Sequence, residues 1–308
     1  MAIIKGIGFS TIAHQGAGLD QLDKTLDHIT QIGARYAELA LYNELIITSG
    51  RVNWAQVKRL SSVCCHHGLS YTVHGPLSAN LMDEVHLDHH KQVITAMIDV
   101  CEAIGASVLV LHAGRIRTAR DGGRKDALLV VEREALESLG DYAGAREIKL
   151  AVETMFVETS QEDTCDPIEL AQTLDRLSHP YVCATLDFSH AALMCSYRKI
   201  DYLSAIKTLG PWVNHLHIHD SFGQLNTVKT RTFAERLAYG VGDLHLPLGW
   251  GGLPWERVIT ELEIRPESLM IIELPVRWRQ EYHESFLTAE RYASLFEHHA
   301  CLRETKSS

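Results

Sequence analysis

Residues 108–114 read Val-Leu-Val-Leu-His-Ala-Gly. Four apolar residues in a row, with no polar alternation, mark a strand covered on both faces, as in a parallel sheet. The run stops on an imidazole and a small-residue turn. Working outward, the same grammar recurs. Strands are predicted at Ile3–Phe9, Tyr36–Leu41, Ser70–Val73, Val108–Leu111, Leu150–Val152, Cys183–Leu186, His215–Ile218 and Met270–Ile272. Between them, amphipathic stretches predict helices at Leu19–Ile32, Trp54–His66, Leu87–Ile104, Asp126–Arg146, Pro167–Leu177, Ile200–Leu209 and Trp255–Leu262, with a last one at about Thr288–Leu302. Within Leu87–Ile104, the residues Val93, Ile94, Met97, Ile98, Val100 and Cys101 fall on one helical stripe. Eight strands alternating with helices predict an α/β protein whose parallel sheet closes into a (β/α)8 TIM barrel. An open doubly wound sheet is the alternative, but no Gly-x-Gly-x-x-Gly follows an early strand.

Size and composition agree with this. The 308 residues would make two domains at roughly 150 residues each, yet an α/β barrel takes about 250 as one unit, so a single domain over 1–308 is expected. Apolar residues are 46% and charged residues 22% of the chain, an ordinary globular balance. The net charge of −10 provides no overall basic field and argues against a nucleic-acid or membrane partner. No apolar run approaches the roughly 20 residues of a membrane helix, and Met1–Phe9, with Lys5 and Gly6 inside it, lacks a signal-peptide layout. Seven cysteines, an odd set without a Cys-x-x-Cys pair, predict reduced thiols in a cytoplasm. Ser221–Gly252 is the longest stretch without an assigned element, a length usually tied to function.

Histidine is over-represented, with 18 copies, and its placement matters more than its number. Glu38 lies in strand two. Strands three and four end at His74 and His112, strand five at Glu153, and strand six at Asp187 with His190 three residues on. His217 lies in strand seven, followed by His219, and strand eight ends at Glu273. In a parallel barrel these ends converge on one mouth, where such barrels place their chemistry. Crowded carboxylates and imidazoles are poorly tolerated unless a cation neutralises them, and both are ligands of zinc, manganese and related ions. Asp243 and His245, two apart in the unassigned stretch, point the same way if extended. Nine candidate ligands result: His74, His112, Glu153, Asp187, His190, His217, Asp243, His245 and Glu273. All nine are too many for one ion with an open position, which points to a cluster of two or three; if only some of them bind, one ion suffices, so one to three divalent ions per chain are expected.

These residues resemble the xylose isomerase-like TIM barrels, a superfamily of sugar and sugar-phosphate isomerases and epimerases that also holds endonuclease IV. The resemblance spans essentially the whole chain and is carried by Tyr36-Ala-Glu-Leu-Ala-Leu, Val73-His-Gly-Pro, Val110-Leu-His-Ala-Gly, Ala151-Val-Glu, Leu186-Asp-Phe-Ser-His, Leu216-His-Ile-His-Asp, Gly249-Trp-Gly and Ile272-Glu. In the isomerase and epimerase branch one divalent ion (zinc, manganese, or iron, cobalt or magnesium) is held by a Glu, Asp, His, Glu set, which falls on Glu153, Asp187, His217 and Glu273. The resemblance further implies that Glu153 and Glu273 are acid and base, moving a proton beside a carbonyl whose oxygen the ion polarises. The endonuclease IV branch uses three zinc ions and nine ligands, and all nine positions are filled here. By that analogy Glu153 bridges two ions, and His190, Asp243 and His245 hold the third for phosphodiester hydrolysis.

Departures favour a small substrate over DNA. Thr-Met-Phe-Val-Glu-Thr follows Glu153, Ala-Gly-Arg follows His112, and Trp250 stands where the endonucleases carry Glu. Glu38 is a sugar-isomerase habit and would repel a phosphate backbone. The expectation is isomerisation or epimerisation of a sugar, sugar phosphate or polyol. The alternatives are a phosphoesterase with a di- or trinuclear zinc site and a keto-sugar lyase or dehydratase. Substrate contacts are expected from Glu38, Arg115, His219, Trp250 and Arg277. Trp250 and Trp278 suit stacking on a sugar, whereas Trp212 and Trp255 read as packing. His86, His89 and His90 read as a solvated helix start, and His66, His67, His298 and His299 as helix-end residues. The four arginines between 115 and 124 suit a phosphate-facing loop and a solvated segment equally. Both a monomer and a homo-oligomer remain open.

Overall fold

The computed structural model describes residues 2–11, 18–157 and 159–307. Eight parallel strands close on themselves: β1 Ile4–Ser10, β2 Tyr36–Ala40, β3 Ser70–His74, β4 Ala106–His112, β5 Lys149–Glu153, β6 Val182–Asp187, β7 Val213–Ile218 and β8 Ser268–Ile272. Each pairs with its sequence neighbours, and β1 closes the ring on β8 with Ile7 opposite Met270. The result is the (β/α)8 barrel read from the sequence. Around it lie α1 Leu19–Ile32, α2 Trp54–Cys65, α3 Leu87–Ile104, α4 Lys125–Gly144, α5 Pro167–Leu177, α6 Phe188–Arg198, α7 Tyr202–Leu209, α8 Phe233–Tyr239, α9 Trp255–Glu261 and α10 Tyr282–Ser307.

The two-residue period of a strand sorts side chains to opposite faces. Leu109, Leu111, Leu150, Val152, Leu186, Leu216, Met270 and Ile272 face out into the large apolar cluster shared with the helices. Tyr36, Val108, Val110, Ala151, Cys183, Leu269 and Ile271 form a second, smaller cluster, the apolar base of the barrel interior. Continuing inward-facing positions by two residues leads from Val110 to His112, from Ala151 to Glu153 and from Ile271 to Glu273. The polar strand ends are therefore interior positions. Strand β1 sits unusually close to β2: a Cβ on Gly8 would meet the Tyr36 backbone oxygen at 2.4 Å, so only glycine fits there.

Three features depart from the expected elements. Helix α6 begins directly at the end of β6 and carries no amphipathic period, because Phe188 through Cys195 are all buried. A helix covered all round presents no apolar stripe to recognise. The stretch 221–252 is not structureless: it holds α8, started by a capping box between Thr232 and Glu235, and an isolated bridge between Asp220 and Leu246. The arginine-rich segment after β4 is also ordered. Arg115–Arg117 pairs antiparallel with Glu162–Thr164, Arg120 bonds Asp121, and Arg124 bonds Glu84.

Candidate active site

Glu153, Asp187, His217 and Glu273 come from β5, β6, β7 and the residue after β8, and each offers one donor atom within 4.8 Å of the other three. All four are between 0% and 3% exposed. Among the described residues no lysine or arginine pairs with these carboxylates; their ion partners are histidines. Burial alone would raise the Glu153 carboxyl. The charge of His217, with hydrogen bonds from His190, His217 and His74, instead holds it well below the usual range. Asp187 is lowered in the same way by His190 and His219 against its burial. Conversely burial opposes, but Glu273, Glu38 and Glu153 raise, the His217 imidazole well above its ordinary value.

Asp187 does two jobs with two oxygens. Oδ1 accepts the His190 backbone N–H at 2.7 Å, capping α6, and Oδ2 lies 3.0 Å from His219 Nε2. The β6-to-α6 junction is therefore short because the ligand candidate is also the helix cap.

A second group lies beside the first: His190, His219, Asp243 and His245 also bring donor atoms within 4.8 Å of one another. His219 and His245 stack with ring centroids 3.9 Å apart, and His245 Nε2 lies 2.7 Å from Asp243 Oδ2. His245 holds φ +45°, a left-handed backbone that costs a side-chain-bearing residue roughly 1–2 kcal/mol. Ring orientation is fixed by backbone carbonyls. His74 Nδ1 donates to Gly75 O at 3.0 Å, His190 Nδ1 to Thr154 O at 3.1 Å and His245 Nδ1 to Glu273 O at 3.0 Å. A carbonyl only accepts, so in each ring Nδ1 carries hydrogen; Nε2 of His74 and His245 then faces a carboxylate, while His190 faces Glu153 with Nδ1 at 3.2 Å and Asp243 with Nε2 at 3.5 Å. This is how proteins preset histidines as metal ligands, and with the buried, lysine-free carboxylates it makes the donor set fit a divalent cation.

Eight of the nine candidate ligands fall within such compact groups, His74 joining Glu153 and His217. His112 stands 3.5 Å from Glu153 Oε2, and burial, opposed by Glu153, pushes it down to about 3.

The expected substrate contacts divide. Glu38 is not at the mouth. It is fully buried beneath His217, with Oε1 2.9 Å from His217 Nε2, Oε2 3.2 Å from His215 Nε2, and a hydrogen bond from the Thr72 hydroxyl. Its strand position puts it one interior layer below the ligand candidates. His219 is likewise fully buried and faces Asp187. Arg115 donates to Leu77 O at 3.1 Å. Trp250, 51% exposed, meets Trp278 edge to face at 5.3 Å, and Arg277 lies over the Phe233 ring at 4.0 Å. The two-residue spacing of His215 from His217 puts both on one strand face in the sequence, but no site role was expected of His215, which in the structure pairs with Glu38. The sequence reading missed Tyr42, whose ring meets His74 edge-on at 5.5 Å. Burial, then Glu273, Glu38 and Glu153, push its phenol upward.

The sequence profile of the xylose isomerase-like TIM barrel matches residues 26–295. The chain belongs to that family. Among solved structures it is similar to a D-tagatose 3-epimerase-like protein (18% identity, 94% of this chain and 98% of that one, TM-score 0.71). It is also similar to D-psicose 3-epimerase from Clostridium cellulolyticum H10 solved with D-tagatose (15%, 97% and 98%, TM-score 0.65). A third similar structure is the IOLI protein with a bound zinc atom (15%, 96% and 99%, TM-score 0.68). At these identities the likeness establishes the fold. No curated protein matches the chain. Among the described residues no helix is long and apolar enough to cross a membrane.

Proposed function

We propose that this chain is a divalent-metal-dependent enzyme that isomerises or epimerises a small sugar, sugar phosphate or polyol-like substrate by moving a proton beside a carbonyl. The observation that carries this reading is the convergence of Glu153, Asp187, His217 and Glu273 within 4.8 Å at the open end of the barrel. A divalent cation held there, zinc, manganese or a related ion, would supply the Lewis acidity that polarises substrate oxygens. By the family resemblance Glu153 and Glu273 are the two proton carriers, one carboxylate taking the proton and the other returning it. Two carriers suit inversion at one carbon; one carrier serving adjacent carbons suits aldose–ketose exchange. Asp187 holds position through the α6 N-terminus and His219, and His217 is clamped from below by Glu38. The sugar epimerases among the similar folds support the same chemistry.

Incubation with ketoses and inososes in deuterated water tests this. One deuteron is expected on a carbon next to the carbonyl, and Glu153→Gln should abolish it. Full activity in that variant on the true substrate overturns the mechanism.

A second reading, phosphoester hydrolysis on two or three ions, is favoured by one feature, the group formed by His190, His219, Asp243 and His245. Elemental analysis separates the two: about one ion per chain supports the first, two or three with phosphoester cleavage the second. A keto-sugar lyase would use the same carboxylates and is recognised by loss of water or carbon dioxide from the substrate.

A further inference from the structure

Beyond the two clusters, the mouth carries an unpaired positive charge that the proton-transfer chemistry does not use. Residues 221–242 hold Lys229, Arg231 and Arg236 against one carboxylate, Glu235, in a chain of net charge −10. Glu235 is already engaged, accepting the backbone N–H groups of Arg231 and Thr232 as the α8 cap. Phe233, the first residue of α8, gathers two guanidinium groups: Arg277 at 4.0 Å and Arg236 at 5.6 Å from its ring centroid. Neither arginine has a carboxylate within 4.0 Å among the described residues, although salt bridges are frequent elsewhere on the surface. Burial and the neighbouring Arg236 charge both push the Arg277 guanidinium below its ordinary value. Two like charges held together without a counterion repel, and a bound anion removes that penalty while using guanidinium's two-pronged geometry.

The position connects to the candidate active site through Arg236. Arg236 and Asp243 line one cavity of about 350 Å³, together with Phe156 and Tyr197. Phe156 is in turn 5.0 Å from the His190 ring. Arg277 follows Glu273 by four residues and reaches this position through Phe233, while also lining a separate cavity with His28 and Arg279. A molecule the size of a sugar with one charged substituent spans the cavity lined by Arg236 and Asp243.

We propose that Arg236 and Arg277, gathered on Phe233, bind an anionic group, phosphate or carboxylate, at the end of the substrate remote from the reacting carbon. The substrate class is then a phosphorylated ketose or a keto-sugar acid rather than a neutral sugar. This rests on the sugar-isomerisation reading for the identity of the rest of the molecule, but the anion site is tested by binding alone.

Calorimetric titration of the purified protein with a pentulose 5-phosphate, the matching neutral pentulose and a hexuronate supplies that test. Preference for at least one charged compound over the neutral sugar is expected, and which one wins assigns phosphate or carboxylate. In Arg236→Gln and Arg277→Gln, that preference should fall about tenfold or more, the size of a lost charged hydrogen bond, and Arg277→Lys should restore part of it. Equal binding of charged and neutral sugars by the wild-type chain, or an unchanged preference in both glutamine variants, overturns the site. Arginine-dependent binding without any deuterium exchange would keep the anion site and sink the isomerase reading. Exchange on neutral ketoses with no arginine effect would do the reverse.

Discussion

Glu38 Oε1 lies 2.9 Å from His217 Nε2, while Nδ1 of the same ring faces Glu153 at 3.1 Å and Glu273 at 3.6 Å. One imidazole thus joins a carboxylate floor to the group proposed to hold a cation. A carboxylate behind a metal-facing histidine fixes the ring and raises its basicity. Replacing Glu38 by Gln keeps the shape and removes the charge, so cation affinity should fall about 10–100-fold, read by competition with a chelating dye. A variant with wild-type affinity would reduce Glu38 to a packing role.

Glu38→Ala is a harsher change. It leaves His215 and His217 buried without their shared partner, a loss of roughly 3–5 kcal/mol for a broken buried pair. Urea denaturation should show a lower midpoint with an unchanged slope.

Cation removal should destabilise the fold. Glu153, Asp187 and Glu273 crowd within 4.8 Å of one another, and an ion bound only by the native state adds about 2.7 kcal/mol at a hundred times its dissociation constant. Thermal unfolding with and without a chelator is expected to differ by several degrees. Coincident curves would argue against a tight site.

Glu132 offers a pH test away from the mouth. It is buried on α4, and burial, only partly opposed by the Gly114 N–H it accepts and by Lys125, pushes its carboxyl up to about 7. A raised carboxyl favours the folded state while protonated. Its contribution is therefore complete below the unfolded value near 4.3 and is lost as pH rises through 7. Glu132→Gln should gain stability on the wild type between pH 5 and 8, by about 1–3 kcal/mol at the upper end. A constant difference across that range would contradict the assignment.

How much was legible beforehand follows from period and charge. The eight strands could be read because parallel strands are continuous apolar runs, and their ends because a run broken by His, Asp or Glu is conspicuous. Vertical position within the barrel was not legible: Glu38 and Glu153 look alike in one dimension, but Glu38 pairs with Thr72 in the sheet register and sits a layer lower. The contacts of His219 were not legible for a related reason, since its neighbours Asp187 and His245 come from other elements. Helix α6 escaped notice because every flank of its first two turns is covered. The gathering of Arg236 and Arg277 on Phe233 depends on α8 meeting the segment after β8, which no local pattern announces.

The double engagement of Asp187 has a broader implication. One oxygen starts a helix and the other faces His219, so a substitution there that serves one role is apt to fail the other. Asparagine would preserve the cap but not the charge, and glutamate the charge but not the reach. Laboratory evolution of this protein should therefore find new specificity among residues 221–242, which lie outside both donor groups, and leave the β6–α6 corner untouched.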